Sequence, residues 1–196
     1  MPQSNPGSPS PTLYIFAGPN GAGKSTLANA LLRVKTLGRF INADIIARGL
    51  DLSSSVGAEV AAGRIMLAAI SDAIKAGESF GFESTLSGKI WAKYIREAKR
   101  QGYTVHLIFI TVKDVEICLD RITERIKLGG HNVAQPTVRR RFKRCSELFV
   151  RLYKSMVDCW YVFDNSAKQA VPIAKKENNR EILIDPVAYR EIFGNE

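Results

Sequence analysis

Short apolar or aromatic runs alternate along the chain with longer segments in which apolar positions recur every three or four residues. The short runs Leu13–Ala17, Phe40–Asn42, Ser79–Glu83, Tyr103–Thr111 and Trp160–Asp164 are each bounded by Gly, Asp or Asn and predict strands. The longer segments predict helices over Lys24–Val34, Ala58–Ala76, Lys89–Arg100, Val115–Lys127 and from Pro136 to about Val157. Glycines at 77, 102 and 129 supply stops, and the proline supplies a start. Strand followed by helix, repeated along a chain, is the pattern of βαβ units. It predicts a three-layer α/β/α fold around a mainly parallel five-stranded sheet. Beyond residue 170 the pattern changes: Val171–Lys175 and Glu181–Ile184 flank Glu177-Asn178-Asn179-Arg180, a hairpin signature that adds antiparallel strands at one edge. Asp185-Pro186 then opens a short last helix.

The chain has 196 residues, 45% of them hydrophobic and 24% charged, which suits one globular domain and excludes a disordered or collagen-like chain. We read residues 1–11, with neither a basic nor an apolar leader segment, as a flexible polar tail and 12–196 as a single domain. The strongly apolar stretch Thr104–Val112 is too short to span a bilayer. Three widely spaced cysteines, Cys118, Cys145 and Cys159, fit neither a disulfide framework nor a zinc site, and a reducing cytoplasm is the expected compartment. The net charge of +9 points to a phosphate-bearing partner.

Gly18-Pro19-Asn20-Gly21-Ala22-Gly23-Lys24-Ser25, followed by Thr26, completes a G-x-x-x-x-G-K-[ST] element between a predicted strand and a predicted helix. In that context glycine-rich backbone turns its N–H groups toward one oxyanion, Lys24 reaches the β and γ phosphates, and Ser25 is placed to ligate Mg²⁺. ATP with Mg²⁺ is the expected cofactor pair. The strand Tyr103–Thr111 does not end in the Asp-Glu pair of a transport or mechanochemical ATPase, and no Gly-Gly-Gln follows Leu86-Ser87-Gly88. The available carboxylates are Asp44, after the second strand, and Glu83, ending the third. Ligands of open α/β sheets bind at the carboxyl ends of strands, so both should share a crevice with the phosphate loop. One can act as base on an acceptor hydroxyl and the other on Mg²⁺. The plain alternatives are a helix N-cap for Asp44 and an N-terminal helix charge for Glu83.

These residues resemble the zeta toxin-like kinases. The resemblance covers nearly all of residues 12–166 and rests on an ordered set: the phosphate loop, Asn42-Ala43-Asp44, Phe82-Glu83-Ser84-Thr85-Leu86-Ser87-Gly88, Gly129-Gly130-His131 with Arg139-Arg140-Arg141, and Tyr161-Val162-Phe163-Asp164-Asn165-Ser166. It implies phosphoryl transfer from ATP to a small acceptor, with Lys24 and Ser25 at the phosphates and Mg²⁺ and Asp44 as base; we read Asp44, Glu83, Thr85 and His131 as the candidate acceptor contacts. In zeta toxins that acceptor is a hydroxyl of the amino sugar in UDP-N-acetylglucosamine, and a small antitoxin blocks the nucleotide site. This chain departs from the family where an acidic sugar contact is expected: it offers Arg64, Met66 and Leu67.

Residues 121–154 hold ten Lys and Arg against Glu124 and Glu147, so most of the basic balance sits in one segment. Arg121 and Arg125 share a helix face, Gly129-Gly130 interrupts it, and Arg139, Arg140 and Arg141 follow. We read about residues 121–145 as a lid whose arginines, chiefly Arg121, Arg125, Arg139 and Arg141, cover the transferring phosphoryl group. A solvated basic face is the bland alternative. His131 is either a phosphate or acceptor contact or a surface group, whereas His106, inside a strand, is read as structural. Trp91 and Tyr94 line an acceptor pocket or simply pack, and Asp164-Asn165-Ser166 bounds the adenine site or makes a turn. Concentrating the charge beside one nucleotide weakens the nucleic-acid reading. The expected function is an ATP-dependent kinase of a small acceptor. A polynucleotide 5′-hydroxyl kinase and a nucleotide-binding toxin or regulatory module without turnover are the alternatives.

Overall fold

The computed structural model describes residues 10–34, 38–49, 56–130 and 132–194, so residues 1–9 of the expected polar tail lie outside the described residues. Strands β1 (Thr12–Ala17), β2 (Arg39–Ile41), β3 (Phe80–Ser84), β4 (Thr104–Thr111) and β5 (Cys159–Asp164) pair in parallel in the order β2-β3-β1-β4-β5. The C-terminal hairpin, β6 (Val171–Glu177) and β7 (Arg180–Leu183), continues the same sheet antiparallel beyond β5. The sheet therefore has seven strands, the five expected parallel strands and the two antiparallel edge strands that the hairpin signature adds. Its tight turn comes from Asn178 and Asn179, at φ +50° and +60°, the double left-handed conformation that asparagine tolerates and a two-residue hairpin needs.

Alternation along the strands sorts the core into two layers. Leu13, Ile15 and Ala17 of β1, Val105, Leu107 and Phe109 of β4, and Trp160 and Val162 of β5 face one side. There they meet α3 (Val56–Ala76) through Met66, Ile70 and Ile74, and α4 (Trp91–Arg100) through Ala92, Ile95 and Ala98. Phe16, Ile108 and Ile110 face the other side, against Ala28 of α1 (Lys24–Val34) and Cys118, Leu119 and Ile122 of α5 (Val115–Lys127). Helix boundaries follow local chemistry. The Asp114 carboxylate accepts from the Glu116 N–H to open α5, and Asp185 accepts from Val187 and Ala188 ahead of α8 (Pro186–Phe193).

Two local features differ from the sequence reading. A short α2 (Ala43–Gly49) follows β2 directly. The long basic helix is α6 (Gln135–Leu148), which passes through a π-helical turn at Phe149–Tyr153 before a last turn, α7 (Lys154–Met156). Phe149 and Tyr153 in that turn are fully buried. Phe149 stacks on Phe109 at 4.5 Å and meets Trp160 edge-on at 5.8 Å. The packed aromatic cluster holds the widened turn in place.

Candidate active site

Strand β1 lies between β3 and β4, in the middle of the five parallel strands, and the phosphate loop leaves its carboxyl end. Gly18 lies at φ +136°, and a Cβ there would stand 1.8 Å from the Ile110 carbonyl oxygen. Gly23, at φ +95°, would place a Cβ 2.3 Å from Asn165 Nδ2. No L side chain fits either place, so the glycine spacing is dictated by strand β4 and by the turn after β5. Asn165 is part of the cradle: its Nδ2 donates to the Ala22 carbonyl at 2.8 Å, and its own N–H donates to the Thr111 carbonyl at 2.8 Å.

Lys24 and Ser25 open α1, and both turn toward Glu83 at the end of β3. Register explains the meeting, since Phe16 of β1 pairs with Glu83. Ser25 Oγ donates to Glu83 Oε2 at 2.8 Å, and Asn42 Nδ2 donates to the same oxygen at 2.9 Å. Lys24 Nζ donates to the Pro19 carbonyl at 2.9 Å and stands 3.9 Å from Glu83 Oε1. Burial holds the Lys24 ammonium below its usual range, opposed chiefly by the charge of Glu83 and more weakly by Asp44. A hydroxyl and a carboxylate oxygen in direct contact, beside a phosphate cradle, form the hard-oxygen donor set that suits Mg²⁺. That ion takes one or two protein ligands and fills its remaining positions with water and phosphate.

Asp44 lies in the first turn of α2, exposed. It does not cap that helix: Asn42 Oδ1 accepts from the N–H groups of Asp44 and Ile45 at 2.8 and 3.3 Å. The helix cap offered as the alternative for Asp44 therefore belongs to Asn42, and Asp44 is exposed to solvent. Asn42 and Asn165 stand in motifs the sequence analysis names, Asn42-Ala43-Asp44 and Asp164-Asn165-Ser166, but their contacts to Glu83 and to the phosphate loop were not expected. Besides those motifs, their signal is an asparagine at the carboxyl edge of a strand, the place where α/β sheets bind ligands.

The arginines of the basic segment divide. Arg141 Nη1 donates to Asn20 Oδ1 of the phosphate loop at 3.3 Å. Arg121 Nη2 donates to the Ala167 carbonyl at 3.3 Å, while its buried Nη1 has no hydrogen-bond partner among the described residues. Arg139 is turned to α5, where it pairs with Glu116 at 2.6 Å on the surface. Arg125 packs under Gly130, whose hypothetical Cβ would meet Arg125 Cγ at 2.5 Å. Thr85 Oγ1 and Ser87 Oγ share a hydrogen bond at 2.9 Å in the loop after β3. A cavity of about 360 Å³ separates that loop from α6. His131 lies outside the described residues. Trp91 stacks on Phe82 at 5.0 Å, so packing accounts for it. His106 is stacked between Tyr14 and Tyr161 at 5.1 and 6.5 Å, level with the start of β5.

The zeta toxin family model matches residues 2–179. A protein of uncharacterized function from Haemophilus influenzae is 37% identical over 128 residues, 65% of this chain and 90% of the relative. The fold resembles AvrRxo1-ORF1:-ORF2 solved with ATP, with a TM-score of 0.75, 17% identity and 94% of this chain covered. This chain spans only 64% of the length of that protein. It also resembles the PezAT chromosomal toxin-antitoxin system of Streptococcus pneumoniae, with a TM-score of 0.67, 17% identity, and 96% of this chain and 81% of that one covered. Among the described residues no helix is long and apolar enough to cross a membrane. With the family match running through the phosphate loop, Asp44, Glu83 and the arginines, this chain belongs to the zeta toxin family.

Proposed function

We propose that the protein is an ATP-dependent kinase that phosphorylates a hydroxyl of a small acceptor, with a nucleotide sugar such as UDP-N-acetylglucosamine as the first candidate. The observation that carries this reading is the convergence of Ser25, Lys24 and Asn42 on Glu83, beside a solvent-facing Asp44. Backbone N–H groups of Gly18–Thr26 and the Lys24 ammonium hold the triphosphate. Ser25 and Glu83 hold Mg²⁺, which supplies charge neutralisation at the phosphates. Asp44 accepts the proton of the attacking hydroxyl, and Thr85, with His131, orients the acceptor. Arg121, Arg125 and Arg141 offset charge on the transferring group, and the Arg139–Glu116 pair opens if Arg139 joins them. Residues 12–196 act as one unit in the cytoplasm, and an antitoxin covering the nucleotide cleft is the expected protein partner.

The test joins isothermal titration with ATP to a transfer assay using γ-labelled ATP and a panel of nucleotide sugars. Lys24→Ala is expected to lose transfer and most nucleotide affinity. Asp44→Asn is expected to lose transfer while binding ATP nearly as well. Full turnover by Asp44→Asn removes the base assignment, and no transfer to any acceptor by the wild type removes the kinase reading.

A further inference from the structure

The sheet ends at β7, and among the described residues no strand lies beyond it. All four residues of β7 are exposed, and two of them are large and apolar: Ile182 and Leu183 are 46% and 48% exposed. Ile184 and Val187, which follow, are 47% and 60% exposed. Natural proteins blunt a free edge of this kind with proline or a bulge. Arg180–Leu183 contains no proline and pairs with β6 in an unbroken register.

The hairpin turn fixes which backbone groups face outward. Asn178 and Asn179 make a two-residue turn, so Glu177 and Arg180 form the hydrogen-bonded pair that closes it. Alternation then points the N–H and C=O of Arg180 and Ile182 toward β6, and those of Glu181 and Leu183 away from the sheet. Among the described residues Glu181 and Leu183 have no backbone partner on that side.

We propose that β7 is a self-pairing edge, at which two copies of this chain join their sheets antiparallel about a two-fold axis through Ile182. The register follows from symmetry and charge. A two-fold axis normal to the sheet keeps each residue on its own face, so only residues an even number of positions apart can oppose one another. An axis through Arg180 or through Glu181 sets that charged residue against its own copy, and one through Leu183 sets Glu181 against Asp185; like charges directly opposed destabilise a strand pair. An axis through Ile182 sets isoleucine against isoleucine, Glu181 against Leu183 and Arg180 against Ile184, with no like charges opposed. It also lets the outward N–H and C=O groups of Glu181 and Leu183 bond reciprocally to those of the second copy. The patch is small, so the dimer is a reversible one. β4, β5 and β6 separate this edge from β1, and the pairing stands independently of the kinase reading.

Sedimentation of the full chain from about 1 μM to about 1 mM is expected to show a monomer–dimer equilibrium within that span. Ile182→Lys opposes two ammonium groups across the axis and should leave only monomer. Ile182 is exposed, so this variant should melt and bind ATP like the wild type. Two further variants test the register. In Ile182→Cys the paired residues oppose each other with Cα atoms about 4.5 Å apart, within disulfide reach, and diamide should cross-link the dimer. Glu181→Cys should not cross-link, because its counterpart lies two residues further along the strand, a shift of about 7 Å. The wild type should not cross-link either, since Cys118 and Cys145 are buried and Cys159 lies on β5, two strands in from the edge. Hydrogen exchange at the Glu181 and Leu183 amides should slow as the dimer forms. A wild type that stays monomeric over the whole span, a dimer that survives Ile182→Lys, or cross-linking of Glu181→Cys as readily as of Ile182→Cys would overturn the proposal. So would slow exchange at both amides in the monomer, which would mean that another segment of the same chain covers the edge. Loss of phosphoryl transfer with the dimer intact would count against the kinase reading alone.

Discussion

Asn42 bonds in two directions: Nδ2 donates to Glu83 Oε2 at 2.9 Å, and Oδ1 accepts from the Asp44 N–H at 2.8 Å. One amide thus fixes the carboxylate at the end of β3 and the helix that carries the other carboxylate. The spacing between the two acidic groups of the site is set by a neutral side chain.

Replacing Asn42 separates its two roles. Asn42→Ala removes a helix cap, at a cost of about 1 kcal/mol, and takes a donor from Glu83. A lower urea midpoint and a reduced transfer rate are expected, with ATP affinity little changed. Asn42→Asp keeps a capping oxygen but sets a second carboxylate against Glu83. It should recover part of the stability and none of the rate, as paired unfolding and transfer measurements will show.

Lys24 carries a stability cost that the ligand relieves. Its folded pKa lies below the ordinary 10.5 because burial disfavours the ammonium. The folded protein therefore gives up that proton before the unfolded chain does, and the group's contribution improves as pH rises through the folded value toward 10.5. Near neutrality the charged side chain is a net penalty without nucleotide. Lys24→Met should raise the melting temperature of the nucleotide-free protein and abolish the shift produced by ATP. A lower melting temperature in the variant would show that the contacts to Pro19 and Glu83 outweigh burial.

The buried thiols act in the opposite sense. Desolvation pushes Cys118 up to about 11 and Cys145 to about 12, against an ordinary 9.0. Both stay protonated in the fold, so their contribution is whole below pH 9.0 and is lost as pH rises through 11 and 12. Stability should start to fall near that lower limit, and Cys145→Ala should flatten the decline even though it lowers stability at neutral pH. Chemical denaturation across the alkaline range measures both. An unchanged slope in the variant would place the titration elsewhere.

Asn165 supports the cradle from outside the phosphate loop. Asn165→Ala leaves the Ala22 carbonyl without its donor and opens space beside Gly23. About 1–2 kcal/mol of stability and roughly a 10-fold loss in ATP affinity are expected, read by calorimetry. Gly23→Ala in the same background should not bind ATP, because φ +95° remains closed to alanine even when the clash is removed.

The sequence by itself determined whatever is local. Strand β1, the glycine loop and helix α1 follow from a short apolar run, a glycine spacing and an apolar periodicity that lie within residues 12–34. The hairpin at Asn178-Asn179 and the start at Asp185-Pro186 follow from the backbone preferences of those residues. Tertiary structure decided what joins distant segments: Ser25 with Glu83, Asn42 with Glu83, Asn165 with Ala22 and Arg141 with Asn20. It also decided which arginine faces which wall. Helix phase is set by how Val138, Cys145 and Phe149 seat in the core, and the π-helical turn lies where the aromatic cluster holds it. Neighbouring arginines look alike in sequence because charge alone carries no direction. Packing gives each its direction, sending Arg139 to Glu116, Arg141 to the phosphate loop, and Arg140 and Arg144 to the cavity beside Ser87.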